Sequence, residues 1–248
     1  MAEESELAFS GDQVNEEFWR ALESRRDVET LTIWGGPLTS EQLAPLSRLT
    51  WLTGLVLGEM PVDDGLFIHL QPLRELSALN LAYTAVTGDF TPLLGAPLRD
   101  VRLEGCRRVG DACGRSLAQF LTLRQVELHM TGLTDEGLAA MALLPLEVLW
   151  AGPRITDGGM RTVGGFRRLK HIDICTHLIT DEGVRAIAGL RELEVLWLTR
   201  SRITDASIDV LRQFTSLREL NVNNTEITGE GLAELRRALP GCRMVEPD

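Results

Sequence analysis

Three residues in one short stretch, His171, Asp173 and Cys175, could do chemistry together. They occupy every second position, so a β-strand through them projects all three side chains from one face. An imidazole, a carboxylate and a thiol are parts of a nucleophilic triad or of a metal site. Spacing works against the triad. Alternate strand residues stand ~6.6 Å apart, whereas a base must come within about 3.2 Å of the group it deprotonates. A metal would need ligands from neighbouring strands, and His129 is expected two strands away, at ~10 Å. No glycine-rich phosphate loop, paired-histidine zinc motif or serine elbow occurs in the chain. We therefore read the chain as non-catalytic, with no catalytic residue, metal or cofactor. The alternatives are an enzyme or metal-binding protein built on the His171/Asp173/Cys175 cluster, or a structural component of an assembly.

What must position these residues is a repeat. The stretch from Leu193 opens with apolar residues at Leu193, Leu196 and Leu198, then runs through a turn, an Ile-Thr-Asp segment and a short amphipathic stretch (Ile208, Leu211, Phe214). The same order recurs from Val28, Leu52, Leu76, Leu98, Leu123, Leu146, Leu169, Leu193 and Leu217, with a vestige at Cys242, at spacings of 22 to 25 residues. A fixed period of this length marks a stacked repeat, each unit contacting only its neighbours. In each copy the last two apolar residues alternate and point inward from one short strand. Stacked strands of this kind form a parallel sheet. A Thr-Asp-x-Gly segment follows at Thr134, Thr156 and Thr180, and as Thr-Gly-Glu-Gly at Thr228. Thr is a good helix N-cap, and an acidic first turn suits the positive end of the helix dipole.

This Leu-x-x-Leu-x-Leu pattern, with Thr84, Cys106, Thr131, Ser201 and Thr225 just past five of the strands, resembles the leucine-rich repeat, in particular its cysteine-containing type and the Thr-Asp-Glu-Gly-Leu style found in bacterial proteins. The resemblance implies an α/β fold: a right-handed solenoid or horseshoe, with a parallel sheet on the concave face and short helices on the convex face. It also implies that the residues at the turn slot hydrogen-bond backbone groups of neighbouring turns. Gly36, Met60 and His177 depart from the rule at that slot. Two copies are irregular: Leu76–Leu98 is short and holds two prolines, and Leu146–Leu169 lacks one residue just after Trp150-Ala151.

The repeat also predicts which side chains line the concave face. Its central row reads Thr32, Val56, Asn80, Arg102, Glu127, Trp150, Asp173, Trp197 and Asn221, with Glu104, His129 and Cys175 one position on and His171 one position before. Nothing in the repeat requires tryptophan there, yet Trp150 and Trp197 flank Asp173. Exposed aromatic residues among charged ones have the composition of a protein-binding hot spot. The expected partner-binding set is Trp150, Trp197, Asp173, Glu127, His129, His171, Arg102, Glu104 and Arg200, and its acidic members favour a partner protein with a basic patch. The function expected is a protein–protein interaction module, either an inhibitor or immunity-type protein or a substrate-recognition adaptor.

Composition narrows the classes further. Residues 1–27 read as a polar N-terminus plus a helical cap carrying Val14, Phe18 and Leu22, with no element before about residue 12. Residues 28–241 are about nine repeats, and 242–248 a terminating segment ending in Pro247 and charge. A net charge of −11 argues against neutralising phosphates, hence against nucleic acid. No apolar run nears the ~20 residues of a membrane span. An acidic start without a basic or apolar leader, and four cysteines without paired spacing, predict a reducing cytoplasm; the chain is expected to be a monomer.

Overall fold

A computed structural model describes residues 5–245. Eleven strands form one parallel sheet in strict sequence order. They are β1 (Glu6–Ser10), β2 (Thr30–Trp34), β3 (Gly54–Gly58), β4 (Ala78–Asn80), β5 (Asp100–Arg102), β6 (Gln125–Glu127), β7 (Val148–Ala151), β8 (His171–Ile174), β9 (Val195–Trp197), β10 (Glu219–Asn221) and β11 (Arg243–Met244). At ~4.8 Å per step the sheet is about 48 Å long. The inward residues of the repeat are sealed: Leu31, Leu57, Leu81, Leu103, Leu128, Ile174 and Leu198 expose no surface. Each buried side chain of this size contributes ~1.5–3 kcal/mol. The core is therefore one continuous column of leucine, and no unit closes it alone.

Two expectations for the N-terminal end need correction. Residues before 12 carry an element, because β1 pairs with β2 over five residues from Glu6↔Thr30 to Ser10↔Trp34. The helix α1 (Glu16–Leu22) follows, and it buries Trp19 and Leu22 rather than Phe18. Phe18 instead lies edge-on to Phe9 of β1, with centroids 4.8 Å apart. The N-terminal cap is thus a strand and a helix, which is why it shields the first leucines so completely. At the other end β11 is a two-residue strand, and Pro247 lies outside the described residues.

Each unit returns through a short helix or turn: α2 (Leu66–Leu70), α3 (Asp111–Leu117), α4 (Asp135–Ala140), α5 (Asp157–Val163), α6 (Asp181–Ala186), α7 (Ile208–Leu211) and α8 (Gly229–Ala238). The Thr residues cap as expected, accepting from backbone N–H groups at the second or third helical position. The Asp residues do more than face a dipole. Asp111 accepts from the N–H and hydroxyl of Thr134 at 2.8 and 2.9 Å, one repeat on. Asp135 does the same for Thr156, Asp157 for Thr180, Asp181 for Thr204 and Asp205 for Thr228. The fourth residue of the motif is Gly for a steric reason. A Cβ on Gly137, Gly159, Gly183 or Gly231 would stand 2.2–2.6 Å from the neighbouring Asp oxygen. Where Ser207 replaces that glycine, its hydroxyl donates to Asp181 at 2.5 Å. This Thr–Asp ladder stitches the convex side from α3 to α8. It ends at Gly229, which stands where the next Asp would be.

Candidate binding hollow on the concave face

The register places the central row as the repeat predicts: Thr32, Val56, Asn80, Arg102, Glu127, Trp150, Asp173, Trp197 and Asn221 are successive cross-strand partners. The turn slot is also occupied as expected, although its bonds close mainly within each turn rather than to the next one. Thr84, Thr131, Ser201 and Thr225 donate to the carbonyl three residues back at 2.7–2.8 Å. The Cys106 thiol instead reaches across to the preceding unit, to Leu81 O at 3.0 Å. In the β8 unit the slot is filled by Thr176, not His177, and its hydroxyl donates to Pro153 O at 2.8 Å.

Just beyond the strands a second row runs along the rim. Gly35, Glu59, Tyr83, Gly105, Met130, Arg200 and Asn224 all have φ between 54° and 71°. Such a conformation is uncommon outside glycine. It is rewarded here, because the N–H of Gly35, Glu59, Tyr83, Gly105 and Arg200 each donates to the next unit at 2.7–3.0 Å, extending the ladder past the strand. The row breaks at two units. Pro153 and Thr176 stand in its place, and proline holds φ negative. The missing residue of the β7 unit and the turn refolded onto it leave a two-unit gap in the rim, between Met130 and Arg200.

Behind this gap lies a hollow of about 590 Å³, walled by Glu104, His129 and Met130 on one side and Asp173, Trp197 and Arg200 on the other. Ala151 and Gly152 also line it. Gly152 packs close to backbone: a Cβ there would stand 3.1 Å from Leu128 O. The ring of His129 reaches toward Asp173 from the β6 side. His129 Nε2 stands 3.6 Å from Asp173 Oδ2, and Nδ1 is 3.9 Å from Glu127 Oε1. The imidazole stacks on Trp150, with centroids 6.0 Å apart and planes 8° off parallel. His171 does not take this place. Two strands at ~4.8 Å each separate His129 from Asp173, and the side chains close that distance to 3.6 Å. The histidine that meets Asp173 comes from two strands away.

The electrostatics follow from that crowding. Burial works against a charged His129, yet the Asp173 and Glu127 carboxylates outweigh it and raise its pKa above the ordinary histidine value. Burial, and then the nearby Glu104, push Glu127 above the usual carboxylate range. His129 Nε2 is sealed from solvent and has no hydrogen-bond partner. Trp197 is held upright by its indole N–H, which donates to Glu219 Oε1 at 2.8 Å, and Glu219 is braced by Arg243. Glu104 accepts from the Tyr83 hydroxyl at 2.6 Å. Arg102 turns aside to pair with Asp100 at 2.9 Å, in line with its raised pKa, first through the Asp100 hydrogen bond. Of the nine expected site residues, Glu104, His129, Asp173, Trp197 and Arg200 line the hollow directly. Glu127 and Trp150 support it through His129, whereas Arg102 and His171 stand outside its lining. Cys175 and Asn221, expected on the concave face, line it too, whereas Met130 and Gly152 are lining residues that were not anticipated. Met130 and Gly152 could have been flagged by the one-residue deletion beside them.

Known proteins match the chain by fold. The sequence model described as "Leucine Rich repeat" matches residues 215–235. No curated protein sequence matches the chain. An internalin (inlF) of Listeria monocytogenes superposes with a TM-score of 0.55 at 18% identity, covering 98% of this chain and 87% of that one. Internalin C2 of the same organism gives 0.58 at 22% identity over 82% and 83%. The plant peptide hormone receptor RGFR1, in complex with RGF2, gives 0.50 at 16% identity over 87% of this chain and 39% of the receptor. No helix among the described residues is long and apolar enough to cross a membrane. Repeat sequence, one strand per turn and these likenesses together give the chain the leucine-rich-repeat solenoid fold.

Proposed function

We propose that the chain is a non-catalytic module that binds a partner protein through its concave face, centred on β6 to β9. One observation carries this reading: Glu104, Glu127, Asp173, Trp150 and Trp197, none of them needed by the repeat, cluster beside the one gap in an otherwise regular rim. A preformed solenoid pays little ordering cost on binding, and clustered carboxylates select a basic partner surface. The plant receptor of the same fold holds RGF2 in its complex, which supports a binding role for such a surface. An inhibitor or immunity-type protein and a recognition adaptor would both use this face in this way.

Affinity capture from native lysate, with wild type beside a Trp150→Ala/Trp197→Ala double variant, tests the reading. Circular dichroism must first show the variant folded. A partner held by wild type and lost by the variant is the expected result. The same partner held equally by both would move the binding surface to the helices, the rim or the ends.

A further inference from the structure

The hollow has a more specific fit than a basic surface in general, and the inference here rests on the concave-face reading above. We propose that the gap in the rim admits a single arginine side chain of the partner, which lies against Trp197 and ends at Asp173. A flat guanidinium can pair with a carboxylate through its edge while its face rests on an indole, a combination a lysine ammonium does not match. Both surfaces are present. Trp197 and Asp173 are cross-strand neighbours on β9 and β8 and line the same cavity, and Trp197 is already fixed by Glu219. Among the described residues Asp173 accepts no hydrogen bond from a cationic side chain, and His129 Nε2 stops at 3.6 Å.

The local charge balance favours a cation. Glu104, Glu127 and Asp173 are opposed by Arg200 on the rim and by His129, while Arg102 is taken up by Asp100. The hollow therefore carries two negative charges in excess when His129 is neutral (three carboxylates against Arg200), and one when it is protonated. Size agrees too: about 590 Å³ falls within the ~300–1,000 Å³ typical of ligand pockets, ample for one long side chain and the backbone that delivers it. The larger hollow at the opposite, strand-entry edge, about 770 Å³, offers no such match. It mixes Lys170 and Arg218 with Glu192 and Glu194 and has no aromatic wall.

His129 then tunes the slot. Facing it are Glu104 from the β5 end, Glu127 on β6, Trp150 on β7, Asp173 on β8 and Arg200 beyond β9. An arriving guanidinium repels the imidazolium, so binding should favour neutral His129 and tighten as pH rises through its raised pKa.

The test is a titration of the isotopically labelled full chain, followed by NMR, with acetyl-Gly-Arg-Gly-amide and with the same peptide carrying citrulline, the neutral isostere. The expected result is saturable movement of the Trp197 indole N–H and the Gly152 amide with the arginine peptide only. Affinity should drop at least tenfold in Asp173→Asn and stay unchanged in Glu136→Gln, a carboxylate removed from the convex side. It should rise several-fold in wild type as pH climbs from about 6.5 through the raised pKa of His129, and stay level in His129→Gln. Equal response to citrulline, an unaffected Asp173→Asn, or an equal loss in Glu136→Gln would overturn the slot. If capture still depends on Trp150 and Trp197, the concave-face reading survives that failure. If capture is indifferent to them, both fall.

Discussion

The convex and concave sides of this solenoid are built from the same units and obey opposite rules. On the convex side one contact is copied: an Asp of one unit accepts two hydrogen bonds from the Thr of the next, five times in succession from Asp111 to Thr228. On the concave side no two neighbouring units present the same side chain from β4 to β10. Near β7 even the backbone departs, where Pro153 interrupts the left-handed rim. The difference shows where stability and recognition are placed. Repetition adds a nearest-neighbour term at every interface, and any exception costs a link. The concave side can afford exceptions because the leucine column and the convex ladder hold the units without it.

The largest test of this division is to break one rung. Asp181→Ala removes the acceptor for the Thr204 N–H, the Thr204 hydroxyl and the Ser207 hydroxyl. Hydrogen bonds to charged groups are worth ~1.5–3 kcal/mol each, with large non-additivity, so urea unfolding should show a loss of about 2–3 kcal/mol. Asp173→Asn, a similar change on the concave side, gives up the His129 pair at 3.6 Å and should cost less, under about 1 kcal/mol. Equal losses would erase the distinction. A somewhat smaller effect is expected from Gly159→Ala, whose Cβ would meet Asp135 Oδ1 at 2.4 Å. Overpacking of this kind costs ~1–3 kcal/mol, whereas Gly110, with open space at its Cβ, should accept alanine at no cost or with a gain in unfolding midpoint.

Acidity should separate the two sides in opposite directions. Burial pushes the Asp181 carboxyl up, but the bonds from Ser207 and Thr204 more than offset it and hold its pKa below the usual 3.8. A depressed acid stabilises the fold above about pH 3.8, and that contribution is lost as pH falls through the lowered value. His129 has a raised pKa, so its contribution is complete below about pH 6.5 and is lost as pH rises through the folded value. Unfolding midpoints from about pH 2 to about pH 8 should show the acid-side loss reduced in Asp181→Asn and the neutral-side loss absent in His129→Gln. The smallest change sharpens the same contrast. Gly229→Asp restores the motif where the ladder ends. It has no Thr to meet, and should gain only the few tenths of a kcal/mol due an acidic group at a helix start.

The repeat was legible because its physics is local and recurrent. Leu193, Leu196 and Leu198 share one spacing rule with eight other units, and the rule assigns strand, face and register together. The central row from Thr32 to Asn221 follows from it directly. What escaped depends on single exceptions. Glu6–Ser10 has only Leu7 and Phe9 to mark it and pairs on one side alone. Thr176 takes the slot expected of His177, bonding to Pro153 O of the shortened unit before it. The pairing of His129 with Asp173, with the imidazole stacked on Trp150, crosses two strands, and no spacing rule predicts where a side chain leans. The Thr–Asp ladder was within reach, since every Asp precedes its Thr by one period, but helix-dipole logic accounted for the acid without asking what else it touched.

Because each rung joins only adjacent units, the chain's length is editable. Excising Glu182 through Asp205 would leave Asp181 in the place of Asp205, facing Thr228, and would bring Asn221 beside Asp173 without Trp197 between them. The frame would close over the cut while the hollow lost its aromatic wall. Lineages that gain or lose a unit in this region could therefore change what they recognise in a single step, with the scaffold left whole.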